Sequence, residues 1–400
     1  MLNFAVVGIG NFGAAHLDAA QYVADAGLAR FAAAADIRLA DFADEAAELR
    51  GRGVACYEDY RELLDGHPEL DLITLPLPIH LHAPVTIECL ERGLNVLVEK
   101  PPASTLAEAR LMAEAARQTG KLCGVGFQYS TSPLQLAICK IVREGRLGEI
   151  TSLSTLCLGK RYDNYYARAK WAGRITVDGK IVRDGTLNNP YAHMAQMLLT
   201  VAGIAAGEPV RPVELEAELF AGHDIETEDT LALRAHLSSG IPFHFYSSVC
   251  THIPFNMQVR IEGTKGMVVW DFYGKPQGRV TFTDGTEEML PDLITNDGGN
   301  TRAVFRNVIA ALEGREPLAC PIDNTLAFAE LVDKVFSENA VTHLHGTPHV
   351  ERIELEDGGR QEVATFLDGI EDYALKAYQT GRLYSEIGAP WAKPALKFEF

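Results

Sequence analysis

Over residues 1–126 short apolar runs alternate with segments of helical spacing, and a glycine pattern, GIGNFG, stands at the first junction between them. NFAVVG (3–8) is an apolar run ending in glycine and reads as a buried strand. Residues 14–26 are alanine-rich with apolar positions at helical spacing, and RFAAAAD (30–36) reads as a second strand. LDLITLP (70–76) and NVLVEKP (95–101) read as strands closed by proline, which forces its preceding residue out of helical geometry. LAEARLMAEAARQTG (106–120) reads as a helix stopped by glycine, and KLCGVGF (121–127) as another strand. Strands alternating with helices predict an α/β fold with a parallel, doubly wound sheet.

GIGNFG fits the dinucleotide-binding fingerprint of such a sheet, the Rossmann fold, because each glycine has a task there. Gly8 permits the tight turn, Gly10 lets backbone approach a pyrophosphate, and Gly13 lets helix and strand pack closely. Asp36 ends the second strand where an acid accepts from a ribose 2′-hydroxyl and repels a 2′-phosphate. NAD is therefore expected; Arg38, two residues on, could hold the 2′-phosphate of NADP instead. A glycine turn that binds nothing is the plain alternative. Ligands of open α/β sheets lie at the carboxyl ends of the strands, where ITLPLPIHLHAP (73–84) and VEKP (98–101) fall. There the ammonium of Lys100 could donate to a substrate oxygen, although this tripeptide taken alone reads first as a surface lysine beside proline.

The pattern changes beyond residue 126. A helix near 133–144 and a strand at 150–158 come first. From about 212 to 283, segments such as VELEAELFAG and MQVRIEGTKGMVVWDF alternate apolar and polar residues around the turn sequences SSG and GTKG. Connections this short predict a large, mainly antiparallel sheet. Helices are expected at 301–313, 324–338 and 362–381. The division is therefore a nucleotide-binding domain at 1–126 and an α+β domain for substrate and oligomerisation at 127–400, in line with a chain of 400 residues, too long for one core. The net charge of −18 disfavours nucleic acid and anionic membranes, and no apolar run approaches a transmembrane length. Seven scattered cysteines, no CxxC and an N-terminus without a signal peptide lead to the expectation of reduced thiols in a cytoplasm.

Two stretches of the second half carry candidate chemistry. In RDGTLNNPYAHMAQMLL (183–199), Pro190 suits a first helical turn, which makes Asn189 the expected N-cap and puts His193 in the first turn. The helix dipole there disfavours an imidazolium, leaving a neutral ring able to accept a proton. An ordinary helix-start histidine and a plain capping asparagine are the alternatives. RYDNYYARAKWAGR (161–174) offers Tyr162, Tyr165, Arg168 and Trp171 to a sugar ring or its hydroxyls, or serves as a loop against a neighbouring subunit. His343, His345 and His349 have no cysteine or carboxylate at matching spacing, so no metal is expected.

Taken together, GIGNFGAAH (8–16), LPLPIHLHA (75–83), GLNVLVEKPPA (93–103), GVGFQ (124–128), IEGTKG (261–266) and FRNVIAALEGREP (305–317) resemble the glucose-fructose oxidoreductase / inositol dehydrogenase / rhizopine catabolism (Gfo/Idh/MocA) family over roughly residues 1–340. The resemblance implies an NAD(P)-dependent oxidoreductase acting on a sugar, polyol or related hydroxy compound, as a homodimer or homotetramer. It places the cofactor against Asn11 and Phe12 of the glycine loop, Leu75, Pro76, His80, Glu99, Lys100 and Gln128. It implies Lys100 at the reacting centre and His193 as acid/base, with Asn189 orienting the hydroxyl. The family's aspartate four residues before the histidine is Asn189 here, and its glycine two residues before is Tyr191. An NAD-dependent glycosidase working by transient oxidation and a non-catalytic nucleotide-binding regulator are the alternatives.

Overall fold

Six parallel strands in the order β3-β2-β1-β4-β5-β6 build the first sheet: β1 (Leu2–Val7), β2 (Ala29–Ala35), β3 (Ala55–Tyr57), β4 (Leu72–Leu75), β5 (Asn95–Val98) and β6 (Cys123–Val125). They belong to a computed structural model that describes residues 1–272, 277–293, 299–353, 360–395 and 397–399. The connecting helices are α1 (Gly13–Asp25), α2 (Ala43–Gly51), α3 (Tyr60–Gly66), α4 (Ile79–Glu91) and α5 (Leu106–Thr119). The order reverses direction beside β1, between β1 and β4, which is where a doubly wound sheet opens its ligand crevice. The alanines of β2 are all buried, and small side chains on strand and helix let the layers approach closely. The strand β3 and the short helices around it escaped the sequence reading because ACY is three half-buried residues without a readable period.

The second unit starts with α6 (Pro133–Arg143) and β7 (Ile150–Lys160). A short helix α7 (Asp163–Ala167), the small hairpin of β8 (Thr176–Val177) and β9 (Lys180–Ile181), and α8 (Ala192–Ala206) follow. Its sheet continues with β10 (Pro212–Ala221), β11 (Thr230–Leu237), β12 (Pro242–Ser248), β13 (Cys250–Gly263), β14 (Gly266–Asp271), β15 (Gln277–Phe282) and β16 (Glu287–Leu290). Pairing is antiparallel except between β7 and β12 and at one edge, so the expectation of a mainly antiparallel sheet is met. The helix α8 is apolar on nearly every side and buried, as a helix laid against a broad sheet must be.

Packing divides the chain differently from the sequence reading. The helix α9 (Asn300–Leu312), expected in the second domain, belongs to the first unit. Its Val304, Phe305, Val308 and Ile309 join Phe4, Phe31, Ala19 and Ala20 in one core. The division then falls within α10 (Leu326–Glu338), at Ala329. Beyond it, β17 (Val341–His343) pairs parallel with β10, β18 (Thr347–Ile353) pairs with β19 (Arg360–Phe366), α11 (Ile370–Thr380) follows, and β20 (Lys397–Glu399) pairs with β10. The helix expected at 362–381 thus begins only at Ile370. RQEVATF carries β-branched and aromatic residues that suit a strand, and Gly369, at φ +71°, breaks the chain before the helix. No described helix is long and apolar enough to cross a membrane.

Candidate active site

The glycine loop is built as its spacing demands. Gly8 sits at φ +100°, a conformation L-residues avoid, and a β-carbon on it would lie 2.9 Å from the Pro76 carbonyl oxygen. A β-carbon on Gly13 would strike the carbonyl oxygen of Gly8, so only glycine lets α1 begin here. The ring of Phe42, just before α2, closes on Gly10, so a β-carbon there would overlap it. Asn11 takes the left-handed conformation at φ 52°, and Phe12 stands immediately before α1. Asp36, at the end of β2, accepts the backbone N–H of Ile9 at 2.9 Å and of Gly10 at 3.3 Å through one oxygen. Its other oxygen accepts the N–H of Arg38 at 2.9 Å. Arg38 itself is exposed and lies over the Phe42 ring. A turn without β-carbons, at a helix N-terminus and braced by a carboxylate at the strand end, fits a dinucleotide.

Further along the same sheet edge, Leu75 is buried and Pro76 touches the glycine loop. Glu99 is buried and accepts from His16 of α1 at 3.0 Å and from the Lys100 backbone N–H at 3.0 Å. Gly126 makes room for that carboxylate, since a β-carbon there would overlap it. Glu99 therefore braces Lys100 from beneath, an arrangement the sequence reading did not anticipate. The Lys100–Pro101 peptide is cis. Gln128 accepts from Thr301 at 3.4 Å, which fixes it against α9 of the same unit.

In HLH the structural work falls to His82 and not to His80, the histidine expected at the cofactor. Two positions apart on a helix lie on opposite sides, so one of the pair had to face inward. His82 is buried, with Nδ1 2.8 Å from the Pro101 carbonyl and Nε2 2.8 Å from the Leu77 carbonyl. Burial holds its pKa below the usual imidazole value, so a neutral ring donates to one carbonyl of the two. It ties the loop after β4 to the loop after β5, which carries Lys100. His80 is half-buried on the other side of α4.

In the second unit the expected N-cap is corrected. The helix α8 starts at Ala192 with Tyr191 at its N-cap position, and His193 lies in the first turn, buried. Asn189 lies in the turn two residues ahead of the N-cap position, and its Nδ2 donates to Asp184 at 2.6 Å. Tyr191, in place of the family glycine, is buried with its hydroxyl against Gly159, 2.5 Å from where a β-carbon there would lie.

Three of the four residues expected at substrate stand together. Arg168 lies 3.6 Å from the centre of the Tyr165 ring and 4.7 Å from that of Trp171, a stacked cation between two aromatics. Arg161 lies over the Tyr165 ring at 4.8 Å. Tyr162 is drawn elsewhere: its hydroxyl donates to Glu351 of β18 at 2.9 Å, and Lys160 pairs with the same carboxylate. A small cavity lined by Arg161, Tyr165, Tyr166, Asp184, Thr186 and Glu228 lies beside this cluster. His343, His345 and His349 are exposed and do not converge. Among the described residues the converging set is His223, Asp229 and Cys250, all buried. There Asp229 accepts from His223 Nδ1 and backbone N–H, both at 2.8 Å, and from Gly222, which binds the cluster as an ion pair within the fold.

A parallel sheet with a dinucleotide cradle, followed by a broad sheet carrying a histidine helix, defines an oxidoreductase of the NAD-binding class. Residues 2–127 match the oxidoreductase family with an NAD-binding Rossmann fold, and residues 136–269 match the GFO/IDH/MocA C-terminal domain. The chain belongs to the Gfo/Idh/MocA family. It is similar to levoglucosan dehydrogenase of Pseudarthrobacter phenanthrenivorans, 23% identical over 56% of this chain and 61% of that protein. It is 32% identical to dTDP-3,4-didehydro-2,6-dideoxy-alpha-D-glucose 3-reductase of Streptomyces violaceoruber, over 60% of this chain and 66% of that protein. The matched region thus spans less than two thirds of these curated relatives. The fold is shared with the WlbA dehydrogenase of Chromobactrium violaceum solved with NADH and UDP-GlcNAcA, at TM-score 0.69 and 22% identity, covering 84% of this chain and 93% of that one.

Proposed function

We propose that this chain is an NAD-dependent dehydrogenase that oxidises a secondary hydroxyl of a sugar, polyol or related compound. The observation that carries the reading is the glycine loop braced by Asp36, whose carboxylate would accept from a ribose 2′-hydroxyl and repel a 2′-phosphate. Gly8, Gly10, Asn11, Phe12 and Gly13 would hold the pyrophosphate, with Asp36 at the ribose, and Leu75, Pro76 and Gln128 along the sheet edge. When bound, the nicotinamide supplies the acceptor for the hydride that leaves the carbinol carbon. Lys100, its backbone held by Glu99, donates to the substrate oxygen and stabilises the charge that develops there. His193 accepts the hydroxyl proton and returns it in the reverse direction. Asn189 orients the hydroxyl, and Tyr165, Arg168 and Trp171 bind the ring and its other hydroxyls. The sugar-processing relatives support this substrate class.

The test is NADH formation by the purified protein, with NAD and then NADP, across sugars, inositols and sugar acids. Turnover with one compound class, lost in both Lys100→Met and His193→Ala while NAD still binds, is the expected result. Aryl glycosides run alongside: aglycone release without net NADH would replace the proposal with a glycosidase. Cofactor binding without any turnover would favour a regulator.

A further inference from the structure

Asp184 is the carboxylate around which the expected substrate residues are arranged. It lies in the loop before α8 and is 8% exposed. Its Oδ1 accepts the Asn189 amide at 2.6 Å. Its Oδ2 accepts the Gly173 N–H at 2.9 Å and the Arg168 guanidinium at 3.3 Å. Through Gly173 and Arg168 it holds the aromatic segment 161–174, and through Asn189 it holds the approach to α8. A carboxylate takes two such bonds per oxygen, so one side chain can fix both segments at once.

We infer that Asp184 is a positioning residue of the substrate site, which sets Asn189 and Arg168 and offsets the charge of Arg168 so that neutral hydroxyl compounds are preferred to sugar acids. This rests on the dehydrogenase reading. The physical argument has two parts. A neutral asparagine amide presents either end to a ligand, and donation to a buried carboxylate fixes which end is committed. A guanidinium stacked on Tyr165 and Trp171 attracts anions unless a fixed negative charge stands beside it, and Asp184 is that charge. The sequence pattern places a neutral Asn189 where the family has its aspartate; the structure puts a carboxylate one hydrogen bond behind it.

The test uses the full-length protein and its Asp184→Asn variant, which is close to isosteric, with myo-inositol, D-glucose and D-glucuronate as probes. Loss of a charge-assisted bond predicts a KM for the neutral substrate raised about tenfold or more, with the KM for NAD unchanged. The ratio of kcat/KM for glucuronate over glucose is predicted to rise about tenfold, a change that a merely structural residue would not produce. Arg168→Ala, at an exposed position, is predicted to raise the neutral-substrate KM without the shift toward glucuronate. Unchanged KM and unchanged preference in Asp184→Asn would overturn the inference. If the wild-type protein turned over none of the probes or panel compounds, the dehydrogenase reading would fail. The positioning claim would then be decided by the crystal structure of Asp184→Asn. Arg168 leaving Tyr165 and Asn189 turning would support it, and both unmoved would overturn it.

Discussion

The carboxylate of Glu228 occupies the space that a β-carbon on Gly185 would take. The loop DGTLNN wraps that buried acid: its Oε1 accepts from the Leu187 N–H at 3.0 Å and the Thr186 hydroxyl at 3.1 Å, and its Oε2 accepts from Thr227 at 2.7 Å. Gly185 is therefore required for packing against a side chain, at a place where the sequence shows only a turn-like glycine. Gly185→Ala is expected to lower stability by about 1–3 kcal/mol, as overpacking does. Urea denaturation at neutral pH checks this, and an unchanged midpoint would contradict it.

Glu228 also makes a pH signature. Burial pushes its carboxyl up to about 7, against the hydrogen bonds that oppose the rise. An acid raised on folding favours the folded state while protonated, so this stability is full below the unfolded value of 4.5 and falls away as pH rises to about 7. The loss is on the order of 3 kcal/mol. Glu228→Gln keeps the side chain uncharged, and is expected to lose less stability than the wild type between pH 5 and about 8. Parallel pH–stability curves for the two proteins would contradict the assignment.

In the His223–Asp229 pair the histidine acts in the same sense as Glu228 and the aspartate in the opposite one. Burial opposes the imidazolium, but the hydrogen bond and charge of Asp229 outweigh it, and the His223 pKa is raised. Burial likewise opposes the carboxylate, and His223 outweighs it, so the Asp229 pKa is lowered. The histidine's contribution is full below its unfolded value of 6.5 and is lost as pH rises through its raised value. The aspartate's contribution is present above 3.8 and is lost as pH falls through its lowered value. Asp229→Asn, which leaves a buried imidazolium without its partner, is expected to cost about 3–5 kcal/mol near pH 6 and less at high pH, where the wild type has itself lost the contribution. Thermal unfolding across pH reads both effects.

Much of this was legible in the residues themselves, and the failures have physical causes. The parallel sheet and glycine loop could be read because Gly8 answers a demand of the turn at φ +100° and Gly13 a close helix-to-loop contact. The placement of α9 could not, because an amphipathic helix shows which face it buries but not against which sheet. Pro190 suggests Asn189 as the cap, yet α8 begins only at Ala192, and the contact of the Asn189 amide with Asp184 is one that spacing does not reveal. His82 could have been preferred to His80: with Val85, Thr86 and Cys89 it falls on the apolar face of α4, three to seven residues apart. Tyr162 was grouped with Tyr165 by composition, but their side chains part, and Tyr162 follows Glu351.

Asp36 offers a prediction about cofactor choice. It holds the glycine loop through Ile9 and Gly10, and its carboxylate would meet the adenosine ribose. Asp36→Ala is expected to weaken NAD binding by about tenfold or more, and to weaken NADP binding less, since repulsion of the 2′-phosphate goes with the carboxylate. Tryptophan-fluorescence or calorimetric titration of both nucleotides measures the ratio. A mutant that loses both equally would show that Asp36 acts only on the loop.

The central claim is hydride transfer from a carbinol carbon, and it is tested most directly with substrate deuterated at that carbon. The compound class found to support NADH formation would be supplied in this form, and the recovered cofactor examined by NMR and mass spectrometry. The account predicts one deuterium on the reduced nicotinamide, a slowed rate where chemistry limits turnover, and a fall of about 10²–10⁴ in kcat for His193→Ala. Reduced cofactor without deuterium, or product released with the cofactor still oxidised, would contradict it.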